Sequence, residues 1–136
     1  MNFIKSQGPL PVIHICGETK FIWEDIADLG VGGFSVDNVI DLKACCEKIG
    51  SKTKILGHVD PGAIIYAGTT KDVRRETLKC ILDAHDSPKG YVVMSGCSLP
   101  ANTPFENIDA MMQTVRDVGY PVNPAKVKEM LDEVSS

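Results

Sequence analysis

Apolar residues in this chain fall into short blocks separated by amphipathic stretches, and the alternation repeats. Pro11 to Cys16 is a nearly unbroken apolar run, which predicts a strand; from about Lys20 to Leu29, Ile22, Ile26 and Leu29 share one helical face, and Gly30 closes the helix. A weaker strand covers Gly33 to Val36, and a helix runs from about Asn38 to Ile49 before Gly50. Lys54 to Val59 predicts a third strand, then a short Pro61-Gly62 start and a helix from about Lys71 to His85, with Thr69 and Asp72 in a capping-box pattern. Tyr91 to Ser95 is the clearest strand of the four. Thr103-Pro104-Phe105-Glu106 predicts a helix start, with Ile108, Met111, Met112 and Val115 as its apolar stripe. Asn123-Pro124 opens a last helix with Val127, Met130, Leu131 and Val134 inward. Strands alternating with helices predict an α/β fold of parallel strands joined by right-handed crossovers.

Composition narrows the function classes. The 136 residues are 43% hydrophobic and 24% charged, ordinary for a globular protein, and the net charge of −4 comes without a basic cluster. Binding to nucleic acid therefore has no electrostatic footprint. No apolar stretch reaches membrane-spanning length, and Met1-Asn2-Phe3-Ile4-Lys5 lacks the apolar core of a secretory signal, so the expected location is the cytoplasm. Five cysteines, an odd count, argue against a full disulfide framework and leave ligand, catalyst or core filler as roles. Cys45, Cys46 and Cys80 lie in helical patterns, where packing is expected. Cys16 and Cys97 stand at strand ends instead.

His14 and Cys16 are two apart on a strand and so project to one face, and a second strand end brings in Cys97. One imidazole and two thiols make three of the four donors of a tetrahedral zinc, with the open position that marks a catalytic site. The spacing alone leaves packing as the competing reading, since free cysteine is among the most buried residue types. The rim changes that balance. Ligands collect at the carboxyl ends of parallel strands, and those ends carry His14 and Cys16, Ser35 and Asp37, His58 and Asp60, and Cys97.

Three separated motifs carry a family resemblance: Pro11-Val12-Ile13-His14-Ile15-Cys16-Gly17, Gly57-His58-Val59-Asp60-Pro61, and Ser95-Gly96-Cys97-Ser98-Leu99-Pro100 with Thr103-Pro104-Phe105-Glu106-Asn107-Ile108. Together, from about Pro11 to Val118, they resemble the C-terminal half of the uroporphyrinogen decarboxylase superfamily. The His-x-Cys with a distant Cys resembles its zinc-dependent corrinoid methyltransferase branch, of the methylcobamide:coenzyme M methyltransferase type. The decarboxylases carry Gly-His-Gly near Gly96-Cys97-Ser98 and lack the His-x-Cys. The resemblance implies zinc held by His14, Cys16 and Cys97, methylcobamide as methyl donor or acceptor, a corrinoid protein as partner, and a small thiol such as coenzyme M as substrate. At the Gly-x-Val-x-Pro turn, relatives carry asparagine where this chain has His58. His58 is a catalytic candidate that could assist the substrate or hydrogen-bond a ligand; Asp60 is another, with turn capping as its default role.

The implied fold is the C-terminal half of a TIM-type (β/α)8 barrel, with residues 1–136 as one half-barrel domain of four parallel strands. A complete barrel takes about 250 residues. Four strands alone leave two unpaired edges and an uncovered face, so the expected partner is a missing N-terminal half-barrel or a second copy of the chain. Besides the methyltransferase, two other functions remain open: a uroporphyrinogen decarboxylase-like tetrapyrrole decarboxylase, and a non-catalytic zinc-binding or interaction subunit.

Overall fold

The four apolar runs pair side by side as one parallel sheet in the computed structural model, which describes residues 2–136; Met1 of the N-terminal reading lies outside the described residues. The strands are β1 (Val12–Ile15), β2 (Gly33–Val36), β3 (Lys54–Val59) and β4 (Tyr91–Ser95), in spatial order β1-β2-β3-β4. The helices are α1 (Asn2–Ser6), α2 (Trp23–Asp28), α3 (Leu42–Ile49), α4 (Thr70–Ala84), α5 (Phe105–Val118) and α6 (Pro124–Ser135). His14 pairs in register with Ser35, and Val59 with Ser95, so the carboxyl ends of all four strands form one rim. No helix among the described residues is long and apolar enough to cross a membrane.

The two faces of the sheet differ. Ile13, Ile15, Phe34, Val36, Ile55, Val59, Tyr91 and Val93 turn toward the helices and pack with Trp23, Ile26, Cys45, Ile49, Ile65 and Val73 into the main core. A second cluster joins α4 to α5 and α6 through Leu78, Ile81, Val118, Val127, Met130 and Val134. Among the described residues no helix packs on the opposite face, where Val12 and Val92 are 55% and 40% exposed. Parallel sheets are normally covered on both faces, so this is the face a closed barrel would bury.

Local chemistry explains the starts of α3, α4 and α6. The Thr69–Asp72 capping box forms as expected, Asp41 caps α3 by accepting from the Ala44 amide, and Asn123 caps α6 through the Ala125 and Lys126 amides. The structure revises several expectations. The third helix begins at Leu42 rather than near Asn38, because residues 37–40 form the turn that closes the rim, and Val39 is left exposed. Lys20–Ile22 is a 3-10 turn ahead of α2, and Leu29 is exposed at the far end of that helix. Thr103 does not cap α5; its hydroxyl turns back to the Pro100 carbonyl, and Pro104 takes the cap position. On α5, Asn107, Met111, Thr114 and Val118 face inward while Met112 and Val115 are exposed, a phase set by packing on α4. The Pro61 start is a π-helical turn, Pro61–Tyr66.

Candidate metal centre

Among the described residues, the one cluster of three or more groups able to hold a metal is His14, Cys16 and Cys97, whose donor atoms lie within 4.8 Å of one another. His14 is on β1, Cys16 is the first residue beyond it, and Cys97 lies two residues past β4. His14 Nε2 stands 3.3 Å from Cys16 Sγ, and the two thiol sulfurs are 3.5 Å apart. Ligands of a tetrahedral zinc at ordinary bond lengths sit about 3.6 Å apart for nitrogen and sulfur and about 3.8 Å for two sulfurs. The His14–Cys16 and Cys16–Cys97 separations are within a few tenths of an ångström of that set, so these residues fit the ion.

The imidazole is prepared for such a role. Its Nδ1 lies 3.1 Å from the Ser35 carbonyl oxygen and 3.0 Å from the Ser35 hydroxyl. A carbonyl only accepts, so the ring proton is on Nδ1 and the Nε2 lone pair points at the thiols. A carbonyl holding the remote nitrogen is the usual support of a metal-bound histidine. Ser35 is buried, and its hydroxyl also faces Met94 Sδ at 4.0 Å.

The cause of its shift separates Cys16 from the cysteines of the helix layer. The hydrogen bond with Cys97 pushes the Cys16 thiol above its ordinary value, helped by desolvation and by the negative potentials of Cys97 and Asp37. A cation at the cluster would act the other way on Cys16 and favour its thiolate. Burial pushes Cys45 up to about 12 and Cys80 to about 11, inside the helix layer. Those thiols stay protonated as packing groups.

The structure does not bring His58 to the three donors. Its Nε2 donates to the Ile40 carbonyl at 3.1 Å, and its Nδ1 faces Cys80 Sγ of α4 at 3.6 Å, within the helix layer. Asp60 Oδ1 accepts from the Gly62 and Ala63 amides, both at 2.8 Å, and Oδ2 accepts from Asn38 Nδ2 at 3.1 Å. Asp60 therefore organises the turn after β3. Asp37, which sequence reasoning put on the rim without a role, accepts from the Gly17 amide at 2.8 Å, directly after Cys16. Ser95 donates to the Cys97 carbonyl at 2.7 Å and braces the other thiol. The Asp37 bond has no local sequence signature, since it joins two chain segments through the fold, whereas the Ser95 bond spans two residues and is a local serine turn.

Beside the donors lies an open cavity of about 420 Å³, walled by Val12, Ser35, Leu56 and Met94 with His14 and Cys97 at its edge. Its size suits a small molecule. A mainly apolar wall next to an imidazole and two thiols can shield a reacting sulfur from water.

Comparison with known proteins gives this rim a lineage. The chain is 34% identical over 110 residues to a methylcobamide:CoM methyltransferase (MtbA) of Methanosarcina acetivorans, covering 80% of this chain and 30% of that protein. It is 30% identical over 120 residues to the methylcobamide:CoM methyltransferase MtaA of Methanosarcina barkeri, covering 88% of this chain and 34% of that protein. A uroporphyrinogen decarboxylase of Legionella pneumophila is 25% identical over 116 residues, covering 85% and 32%. The solved structure of a methyltransferase from Methanosarcina mazei superposes with a TM-score of 0.72 at 27% identity, covering 85% of this chain and 33% of that one. The chain spans about a third of the length of the curated relatives it matches. The family model of uroporphyrinogen decarboxylase (URO-D) matches residues 1–118, a span holding all four strands and the whole rim. By that match and by its parallel half-barrel architecture, the chain belongs to the uroporphyrinogen decarboxylase family.

Proposed function

We propose that the chain is the metal-bearing half of a zinc-dependent methyltransferase that moves a methyl group between methylcobamide and a small thiol such as coenzyme M. The observation that carries this reading is the three-donor cluster, with His14 Nδ1 engaged by Ser35 and Nε2 turned toward two thiols 3.5 Å apart. The names of the relatives MtbA and MtaA supply the methyl carrier and the acceptor. Zinc held by His14, Cys16 and Cys97 would supply Lewis-acid chemistry that favours the thiolate form of a substrate thiol at neutral pH. Cys16 and Cys97 contribute two thiolates and His14 a neutral imidazole, a donor set that cancels the ion's charge and leaves the bound sulfur electron-rich. His14 keeps its orientation through Ser35, and Cys97 through Ser95. The wall of Val12, Leu56 and Met94 offers the sulfur an apolar side, which a second half-barrel over the open face would close against water. His58 and Asp60 act through backbone positions of the rim, and the reacting atoms belong to other groups.

In this reading residues 1–136 form one half-barrel domain, which works in the cytoplasm with a corrinoid protein and a second half-barrel closing its open face. The half-barrel binds metal by itself, and turnover requires the complement. The test separates the two. Zinc-loaded chain mixed with coenzyme M is expected to release about one proton per chain near neutral pH, read with an indicator dye. Release that is absent with zinc-loaded protein, or equal with metal-free protein, contradicts thiol activation at this site.

A further inference from the structure

Across four parallel strands about 4.8 Å apart, the first and last lie on the order of 14 Å from each other. The two thiols nevertheless meet at 3.5 Å, although Cys16 follows β1 and Cys97 follows β4 at opposite edges of the sheet. Sheet curvature brings the edges nearer, and something must then hold the two loops in register. The turn after β2 lies between them. Asp37 Oδ2 accepts from the Gly17 amide at 2.8 Å, and Oδ1 from the Val39 amide at 3.1 Å, so one carboxylate ties the residue after Cys16 to the central turn. Gly17 takes φ +81°, a left-handed conformation that lets the chain bend there toward the acid. On the other side, Asn38 packs against Gly96, the residue before Cys97. A Cβ at Gly96 would stand 2.7 Å from the Asn38 nitrogen and 3.0 Å from its Cβ. Gly96 is also pinned by donating to the Val59 carbonyl at 2.8 Å, while Asn38 Nδ2 reaches Asp60.

We infer that Asp37 and Asn38 form a two-residue clamp that sets the separation of Cys16 from Cys97, gripping one loop by a charge-assisted hydrogen bond and the other by contact with Gly96. Asp37 and Asn38 are positioning residues: neither supplies a donor atom, and each acts through the loop it holds. Asparagine at 37 keeps one carbonyl oxygen and presents its NH2 to the second amide, so it retains one of the two bonds. Alanine at 96 sets its Cβ against the Asn38 backbone, which cannot swing aside as a flexible side chain does, so the two loops must move apart to accept it.

The inference depends on the zinc reading only for its metal readout, so it is tested first without metal. Metal-free wild-type protein, treated with the mild oxidant diamide, is expected to form a Cys16–Cys97 disulfide, the two thiols giving up two electrons and two protons to the diazene. Disulfide formation demands close sulfur geometry, so Asp37→Asn and Gly96→Ala are each expected to slow that link by about tenfold or more. Thermal unfolding is expected to stay within a few degrees of wild type. The same variants are expected to weaken zinc binding by about 10–100-fold, the usual effect of losing a group that orients a ligand, and to weaken the sulfur-to-metal absorption of the cobalt(II) form. Unchanged disulfide rates in both variants overturn the clamp while leaving the zinc reading intact. Slowed disulfide formation in a wild-type background that binds no zinc supports the clamp and overturns the zinc reading. Loss of folding in both variants overturns the clamp as well, since the turn is then a general stabiliser of the fold.

Discussion

His14 shows how much of the site depends on single contacts. Its two ring nitrogens have different tasks, Nδ1 donating a hydrogen bond to the Ser35 carbonyl and Nε2 facing the thiols. Ser35→Ala removes the hydroxyl but leaves the backbone carbonyl, so it is expected to weaken zinc affinity by about tenfold, the low end for such a partner. A chelator-competition titration checks this; unchanged affinity would show that the carbonyl alone orients the ring. The His-x-Cys spacing and the strand ends were legible from residues alone, because strand alternation and rim location follow from short-range pattern. The roles of Asp37 and Gly96 were not, since they depend on which loops the sheet brings together. His58 marks the limit at this scale: its rim position followed from the strand pattern, while its contacts with Ile40 and Cys80 depend on how the neighbouring helix packs.

Elements followed their sequence signals where a local cap sets the start. The Thr69–Asp72 box was visible as a four-residue pattern, and hydrogen bonds from the Thr69 side chain and backbone, with Arg75, hold the Asp72 carboxyl at about 2. A carboxyl depressed in this way favours the folded state above its ordinary pKa and loses that contribution as pH falls from about 4 toward about 2. Asp72→Asn is therefore expected to flatten the pH dependence of the melting temperature across that window. Calorimetry at half-unit steps of pH would detect it, and an identical slope in the variant would exclude the box as a pH-linked element. The phase of α5 was less legible. Met112 and Val115 read as core by hydropathy, yet they are exposed while Asn107 and Thr114 are buried beside Met111 and Val118, with Asn107 Nδ2 donating to the carbonyls of Ile65 and Gly68. Buried polar residues that serve another segment's backbone are invisible to a hydrophobic period.

At the scale of the whole molecule, the sheet has helices on one face and exposed valines on the other, and β1 and β4 each pair on one side only among the described residues. The four-unit α/β alternation was legible because each strand and crossover leaves its own period. The partner for the open face is a matter of assembly. Sedimentation is expected to show a dimer or a complex with a complementary half-barrel, and Val12→Lys, which places a charge on the exposed face, is expected to dissociate it. A cooperatively folding monomer at all concentrations would contradict a face built for closure.

The central claim concerns the metal, and its most direct test is zinc content. Protein purified without added metal is expected to carry about one zinc per chain by elemental analysis, and Cys97→Ser to lose most of it while keeping the fold. Full retention of zinc by Cys97→Ser, or wild-type protein with no affinity for zinc, would contradict the account.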